Sequence, residues 1–174
     1  MAIHIIIDGY NLIRQSPELA GLDMLDLQLG REALIDMLAA YKKLKAHKIT
    51  VVFDGSGDPV LYGSRDREKG IRIRYSQGRE TADDVIRWMA NREKTQALVV
   101  SSDREVMAAA ESAGATVMGS SAFEEKMTMA RYLAQKGGSE GVESEGWVPT
   151  TRKKGPSRRL PKRKRRASAR IKKL

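Results

Sequence analysis

Cysteine is absent from this 174-residue chain, and histidine occurs only at His4 and His47. The first absence excludes disulfides and thiolate metal sites, and it suits a reducing, cytoplasmic setting. The second counts against histidine-based zinc sites and Ser-His-Asp hydrolysis, since each needs a histidine placed beside other site residues. No apolar run approaches the ~18 residues of a membrane-spanning helix, and no basic region precedes the apolar start of the chain. Neither a membrane span nor a secretory leader is therefore expected. Acids are missing from one end altogether. Between Arg152 and Leu174 there are 13 Lys/Arg and no Asp/Glu, which leaves 19 basic and 22 acidic side chains for the rest. The net charge of +10 thus belongs to the tail, while the body carries −3. That asymmetry points to a polyanionic partner.

The length allows one full core of about 100–150 residues with a remainder. The chain is organised around Ile3-His4-Ile5-Ile6-Ile7-Asp8-Gly9-Tyr10-Asn11. Its β-branched run is too short for a helix and too continuous for a half-exposed strand, so it reads as a buried central strand of a parallel sheet. A carboxylate, a glycine, an aromatic and an amide follow at its C-terminal end. Ligands of open α/β sheets bind outside the carboxyl ends of the strands. Asp8 would stand at that edge, with Gly9 letting the chain turn and Asn11 in reach; alternatively, Asp8 caps the next helix.

Further along, Ser16-Pro17-Glu18 starts a short helix. Asp26 precedes a longer one whose apolar face is Leu27, Leu34, Met37, Leu38, Tyr41 and Leu44. Ile49–Phe53 is a second buried strand, ending in Asp54-Gly55. Arg65, Arg67, Lys69, Arg72, Arg74 and Arg79 are then interleaved with glycines. Within that stretch Ile71–Tyr75 alternates like a strand with one wet face. Thr81-Ala82-Asp83-Asp84 opens a helix, Ala97–Val100 is a strand ending at Ser101-Ser102-Asp103, and a short helix runs to Ser112. Ala115–Met118 is a fifth strand and the last helix spans about residues 121–135. Alternation of strand and helix predicts an open parallel α/β sheet of about five strands with helices on both faces. Residues 1–136 form the domain, 137–151 a Gly/Ser-rich linker, and 152–174 a basic tail with almost nothing apolar to bury, expected to be disordered. Trp147 is the one large apolar anchor beyond the domain.

Asp8, Asp54, Asp83 and Asp103 each fall at a strand end or a helix start. In a parallel sheet these positions share one edge, so acids distant in sequence gather in one region. Carboxylates that close repel one another unless a cation intervenes. A cluster without His or Cys suits a hard, oxygen-loving ion, Mg²⁺ or Mn²⁺. Such an ion activates water and stabilises a leaving oxygen, which is the chemistry of a metal-dependent nuclease. Each acid also has a purely structural reading: Ser102-x-x-Glu105 and Thr81-x-x-Asp84 look like capping boxes, and Asp83 could pair with Arg87. The basic stretch 65–79 would grip phosphate beside the acids, or be a solvated loop.

Taken together, Ile5-Ile6-Ile7-Asp8-Gly9-Tyr10-Asn11, Val52-Phe53-Asp54-Gly55, Glu80-Thr81-Ala82-Asp83 and Val99-Val100-Ser101-Ser102-Asp103 resemble the NYN branch of the PIN-like nucleases, in particular its bacterial YacP-like subgroup. The resemblance runs from Ala2 to about Gln135. It implies a PIN-like sheet with the first strand central and a Mg²⁺/Mn²⁺-dependent endoribonuclease. By position, Asp8, Asp54, Asp83 and Asp103 match the family's acidic metal site, and Asn11 and Ser102 match nearby polar positions. Some relatives in the subgroup look like ribosome-associated endonucleases acting on mRNA. The basic tail lies outside the family core on this reading.

The expectation is therefore an RNA-cutting enzyme. Asp8, Asp83, Asp103 and Asn11 would carry the chemistry, Asp54 would complete the metal shell, and Arg65, Arg67, Lys69, Arg72, Arg74 and Arg79 would hold RNA. The tail would add sequence-blind affinity for RNA or the ribosome. The rival is a non-catalytic RNA- or ribosome-binding protein with a residual acidic pocket. A haloacid-dehalogenase-type phosphatase ranks last, because it wants an acid two residues after the strand-end Asp and position 10 is Tyr.

Overall fold

The run His4–Asp8 forms strand β1, and all of its residues are buried. In the computed structural model, which describes residues 3–55, 67–136 and 161–174, β1 lies between two parallel partners. β2 (Lys48–Phe53) flanks it on one side and β5 (Ala97–Val100) on the other. β4 (Ile71–Tyr75) extends the sheet beyond β2, and β6 (Thr116–Met118) extends it beyond β5, both in parallel. A two-residue strand β3 (Arg67–Glu68) adds an antiparallel edge, so the order is β3–β4–β2–β1–β5–β6. Five parallel strands were expected from the alternation; the short hairpin strand carries no apolar signal and was not.

Helices cover both faces because β1 supplies apolar side chains to both. Ile5 and Ile7 enter one layer with Leu12 and Ile13 of α1 (Gly9–Gln15), Leu19 of α2 (Pro17–Leu25), Leu34, Leu38 and Tyr41 of α3 (Leu27–Leu44), and Phe123 and Met127 of α6 (Ser120–Lys136). Ile6 points the other way. It joins Val52, Val99, Val85, Ile86 and Met89 of α4 (Ala82–Glu93), and Val106 and Ala110 of α5 (Arg104–Ser112). Leu27 and Leu44, assigned to the apolar face of α3, lie at its ends and stay about half exposed. The caps are mostly those the sequence marks. Ser16 and Asp26 cap α2 and α3, with Pro17 in the first turn of α2. Thr81 and Asp84 form a capping box on α4. α5 differs: Asp103, not Ser102, is its cap, accepting from the Glu105 and Val106 N–H groups.

The tail also differs from expectation. Residues 137–160, with the linker and Trp147, lie outside the described residues, but Lys162–Ile171 is a helix, α7. Leu174 is buried in the core, Ile171 packs against that core, and the Tyr41 hydroxyl donates to the Leu174 carbonyl at 3.0 Å. Arg170 donates to the Thr116 hydroxyl of β6 at 3.2 Å. The correction has a simple cause. Ala167, Ile171 and Leu174 recur four and three residues apart and make one narrow stripe, which the surrounding cations hide from any reading of composition. Leu174→Ala removes no charge, so it isolates this packing. It should cost about 2 kcal/mol and lower the melting temperature by roughly 4–8 °C. An unchanged melting curve would mean that the tail packs on nothing.

Candidate active site

At the C-terminal edge of the sheet, β1 ends in Asp8 and α1 begins at once, so Asp8 is both strand end and helix cap. Its Oδ1 accepts from the Asn11 N–H at 3.3 Å and its Oδ2 from the Ser101 hydroxyl at 3.0 Å. Ser101 Oγ in turn accepts from the Asp103 N–H at 3.1 Å. The capping and pocket readings of Asp8 are therefore not alternatives. One carboxylate does both, and a serine 93 residues away fixes its angle.

Asn11 braces the same edge. Its Oδ1 accepts from the Ser102 N–H at 2.8 Å and from the Ser120 hydroxyl at 2.7 Å, tying the ends of β1 and β5 to the start of α6. Ser102 Oγ accepts from the Ser120 N–H at 3.1 Å. Asp54 follows β2, and its Oδ1 accepts from the buried Ser76 hydroxyl at 2.9 Å. Asp83 stands in the first turn of α4. Its neighbour Asp84 is occupied by the cap, and the Thr81 N–H and hydroxyl hold its carboxyl below the usual range. Arg87 reaches Asp84 and Glu105 rather than Asp83.

Asp8, Asp54, Asp83 and Asp103 line one cavity of about 290 Å³, together with Tyr10, Asn11, Arg14, Gln15 and Ala82. Burial pushes the Asp8 carboxyl above its ordinary range; Ser101 and Asn11 oppose this, while Asp83 and Asp103 add repulsion. Asp83 is raised as well, first by burial and then by Asp103. The acids thus stand near enough to disfavour one another's charge. Among the described residues, however, no three acidic or histidine side chains are close enough to hold one ion between them. Neither histidine lines the cavity. His4 sits at the opposite end of β1 against Glu93 and Thr50, and His47 faces the Lys173 carbonyl.

Arg14 and Gln15 were missed in the sequence. They follow Asn11 at the i+3 and i+4 spacing that puts them on its helix face, but that signal exists only once α1 is seen to start at Gly9. The basic stretch is split rather than gathered. Arg65 lies outside the described residues. Arg67 on β3 and Lys69 in the turn that leads to β4 lie at the edge away from the acids, and Lys69 pairs with Asp36 of α3. Arg72 is exposed on β4, Arg74 lies in the same cross-strand row as Val52 and Asp8, and Arg79 is exposed in the turn before α4.

The sequence model of the YacP-like NYN domain matches residues 5–172. That span includes the whole of α7, so the basic end lies inside the matched region rather than beyond a family core. Over 104 residues the chain is 30% identical to the uncharacterized protein YacP of Bacillus subtilis (strain 168), covering 57% of this chain and 59% of that protein, less than two thirds of its length. The crystal structure of Rae1 (YacP) from Bacillus subtilis superposes with a TM-score of 0.66 at 24% identity, covering 78% of this chain and 79% of that one. A mutant form of the same protein gives 0.66 at 23% identity, covering 77% and 80%. At this identity the two structures establish the fold.

Proposed function

The chain belongs to the YacP-like NYN domain family, a family of nucleases, and from that premise we propose that it is a metal-dependent endoribonuclease. The observation that carries the proposal is the single cavity lined by four acids from four separate places in the chain. The donor set consists of carboxylates alone, which suits Mg²⁺ or Mn²⁺. Because no three of the acids converge on a point, the fit is to a largely hydrated ion that takes one or two carboxylates directly, as Mg²⁺ commonly does. Asp8 and Asp103 would hold it, with Asp83 and Asp54 acting through its waters. When bound, the ion supplies water activation and stabilisation of the leaving oxygen.

The remaining chemistry belongs to the chain's own residues. Ser101 and the Asn11 N–H fix the Asp8 carboxylate by its two oxygens. Asn11 holds the ends of β1 and β5 at constant separation, so that Asp8 and Asp103 keep their spacing. Arg14, at the cavity wall, is placed to grip a phosphate. The cations of α7 would add affinity that falls with salt, whether the RNA is free or ribosomal. No described helix is long and apolar enough to cross a membrane; we place the protein in the cytoplasm on the strength of its RNA substrate.

Purified protein incubated with structured and unstructured RNA, with Mn²⁺ or with EDTA, tests the reading. Cleavage that needs Mn²⁺ and stops with EDTA is expected. Cutting that ignores EDTA would point to a contaminant, and binding without any cutting would favour the non-catalytic RNA-binding protein.

A further inference from the structure

Beside the acidic cavity, on the α4 side of the sheet, lies a patch of different chemistry. Trp88 of α4 stands off the buried stripe of Val85, Ile86, Met89 and Ala90, and 47% of it is exposed. The Arg74 guanidinium carbon lies 4.9 Å from its ring centroid and that of Arg92 5.3 Å. Neither guanidinium has an acidic partner among the described residues, whereas nearby Arg87 is shared between Asp84 and Glu105. A lone exposed aromatic needs no explanation. An exposed indole with two guanidiniums over its ring, neither paired with an acid among the described residues, is another matter: it is a cation–π stack open to solvent.

Position gives this patch a direction. Arg74 is in register with Val52, and Val52 with Asp8, which puts its Cα about 10 Å from that of Asp8, two strand spacings away. Along α4, Trp88 lies five residues beyond Asp83, an axial rise of about 7.5 Å and about 140° round the helix, on the flank that faces Arg74. A short length of extended strand bridges that distance. A nucleotide offers the matching features, a flat base and a phosphate. In a duplex the base faces are hidden in the stack, and only an unpaired strand can lay one on an aromatic ring.

We infer that Trp88, Arg74 and Arg92 form a base-stacking subsite that holds one unpaired nucleotide next to the acidic cavity and so selects single-stranded over paired RNA. The identity of the strand as RNA rests on the nuclease reading; the stacking geometry does not. Trp88 supplies the platform: a base either stacks on a guanidinium plane that the ring supports or displaces one guanidinium from the ring, and the freed cation then meets the phosphate.

The test is binding by the full-length protein in EDTA, where nothing is cut, to a labelled single-stranded RNA and to a fully paired RNA of equal length. Trp88→Ala should weaken single-strand binding roughly five- to hundredfold and leave duplex binding nearly unchanged. Trp88→Phe should keep most of the affinity, because it restores a stacking face. Arg92→Gln should weaken binding and flatten its salt dependence by about one counterion. Melting curves of the three variants confirm folding, and the exposure of these side chains predicts little change. Equal losses for single strand and duplex, no loss at all, or a Phe variant as poor as Ala would each overturn the subsite. Adding Mn²⁺ to the parent then reads the other question separately. A parent that binds through Trp88 but cuts nothing refutes the nuclease reading and keeps the subsite. A cutting parent indifferent to Trp88 does the reverse.

Discussion

Gly9→Ala should lower the melting temperature by roughly 2–12 °C and cut RNA cleavage about a hundredfold, although it touches no carboxylate. Gly9 is the first residue of α1, directly after Asp8. A Cβ there would sit 2.3 and 2.5 Å from two ring carbons of Phe53 and 2.9 Å from Val51 Cγ1. Phe53 has nowhere to go. It is fully buried, edge-on to Tyr10 at 5.1 Å and stacked with Tyr75 at 5.7 Å. Relief must come from the backbone of β1 or β2, and each of those strands leads straight into an acid of the cavity, Asp8 or Asp54. Overpacking of this kind typically costs about 1–3 kcal/mol. A displacement of about 1 Å at a reacting group can cost a hundredfold in rate. Gly21→Ala is the matched control. It lies in α2 with nothing within 4 Å of the added Cβ, and it should stabilise by about 0.5–1 kcal/mol because Ala suits a helix better. Equal melting temperatures for the two variants would show that Phe53 can yield after all.

That glycine also marks what the sequence could and could not say. Its position after a strand-end acid suggests a turn, yet its φ is not positive; the requirement is for space, set by a residue 44 positions later. Strands β1, β2 and β5 are legible because long β-branched runs have few other uses, and a parallel sheet then obliges their ends to share an edge. Contacts between distant parts of the chain are not legible. Nothing near Asp8 announces Ser101, nothing near Asp54 announces Ser76, and a capping box written at Ser102–Glu105 loses to Asp103 because the Ser102 N–H is taken by Asn11. The division of the basic stretch is not legible for the same reason. Its residues are adjacent in sequence, but a strand carries its two ends to opposite edges of the sheet, so Lys69 and Arg79 lie apart while Arg74 stays level with Asp8.

Asp8→Asn should separate folding from chemistry more sharply than any other change. In the metal-free protein the Asp8 carboxyl is buried and faces Asp83 and Asp103, so its ionised form is disfavoured relative to the unfolded chain. A folded pKa raised above the unfolded one means that the native state holds its proton more tightly. The cost to stability is absent below the unfolded pKa of about 3.9, grows as the pH rises, and is complete once the pH passes the raised folded value. Asn keeps the shape and is as good a helix cap as Asp, and its amide N–H can donate to Ser101 Oγ in place of the bond that the carboxylate accepts from it. At neutral pH the metal-free variant should therefore melt at the parent's temperature or above it, and this advantage should vanish on acidification below about pH 4. Mn²⁺ should raise the parent's melting temperature, by the equivalent of about 2.7 kcal/mol at a hundred times its dissociation constant, and raise the variant's by much less. Cleavage should meanwhile fall by orders of magnitude. A merely structural Asp8 gives the opposite pattern: impaired capping costs about 0.5–2 kcal/mol, and added metal changes nothing. Melting curves at two pH values, with and without Mn²⁺, read beside one cleavage assay, decide between them, and an Asn variant that melts lower, ignores Mn²⁺ and still cuts RNA removes Asp8 from the chemistry.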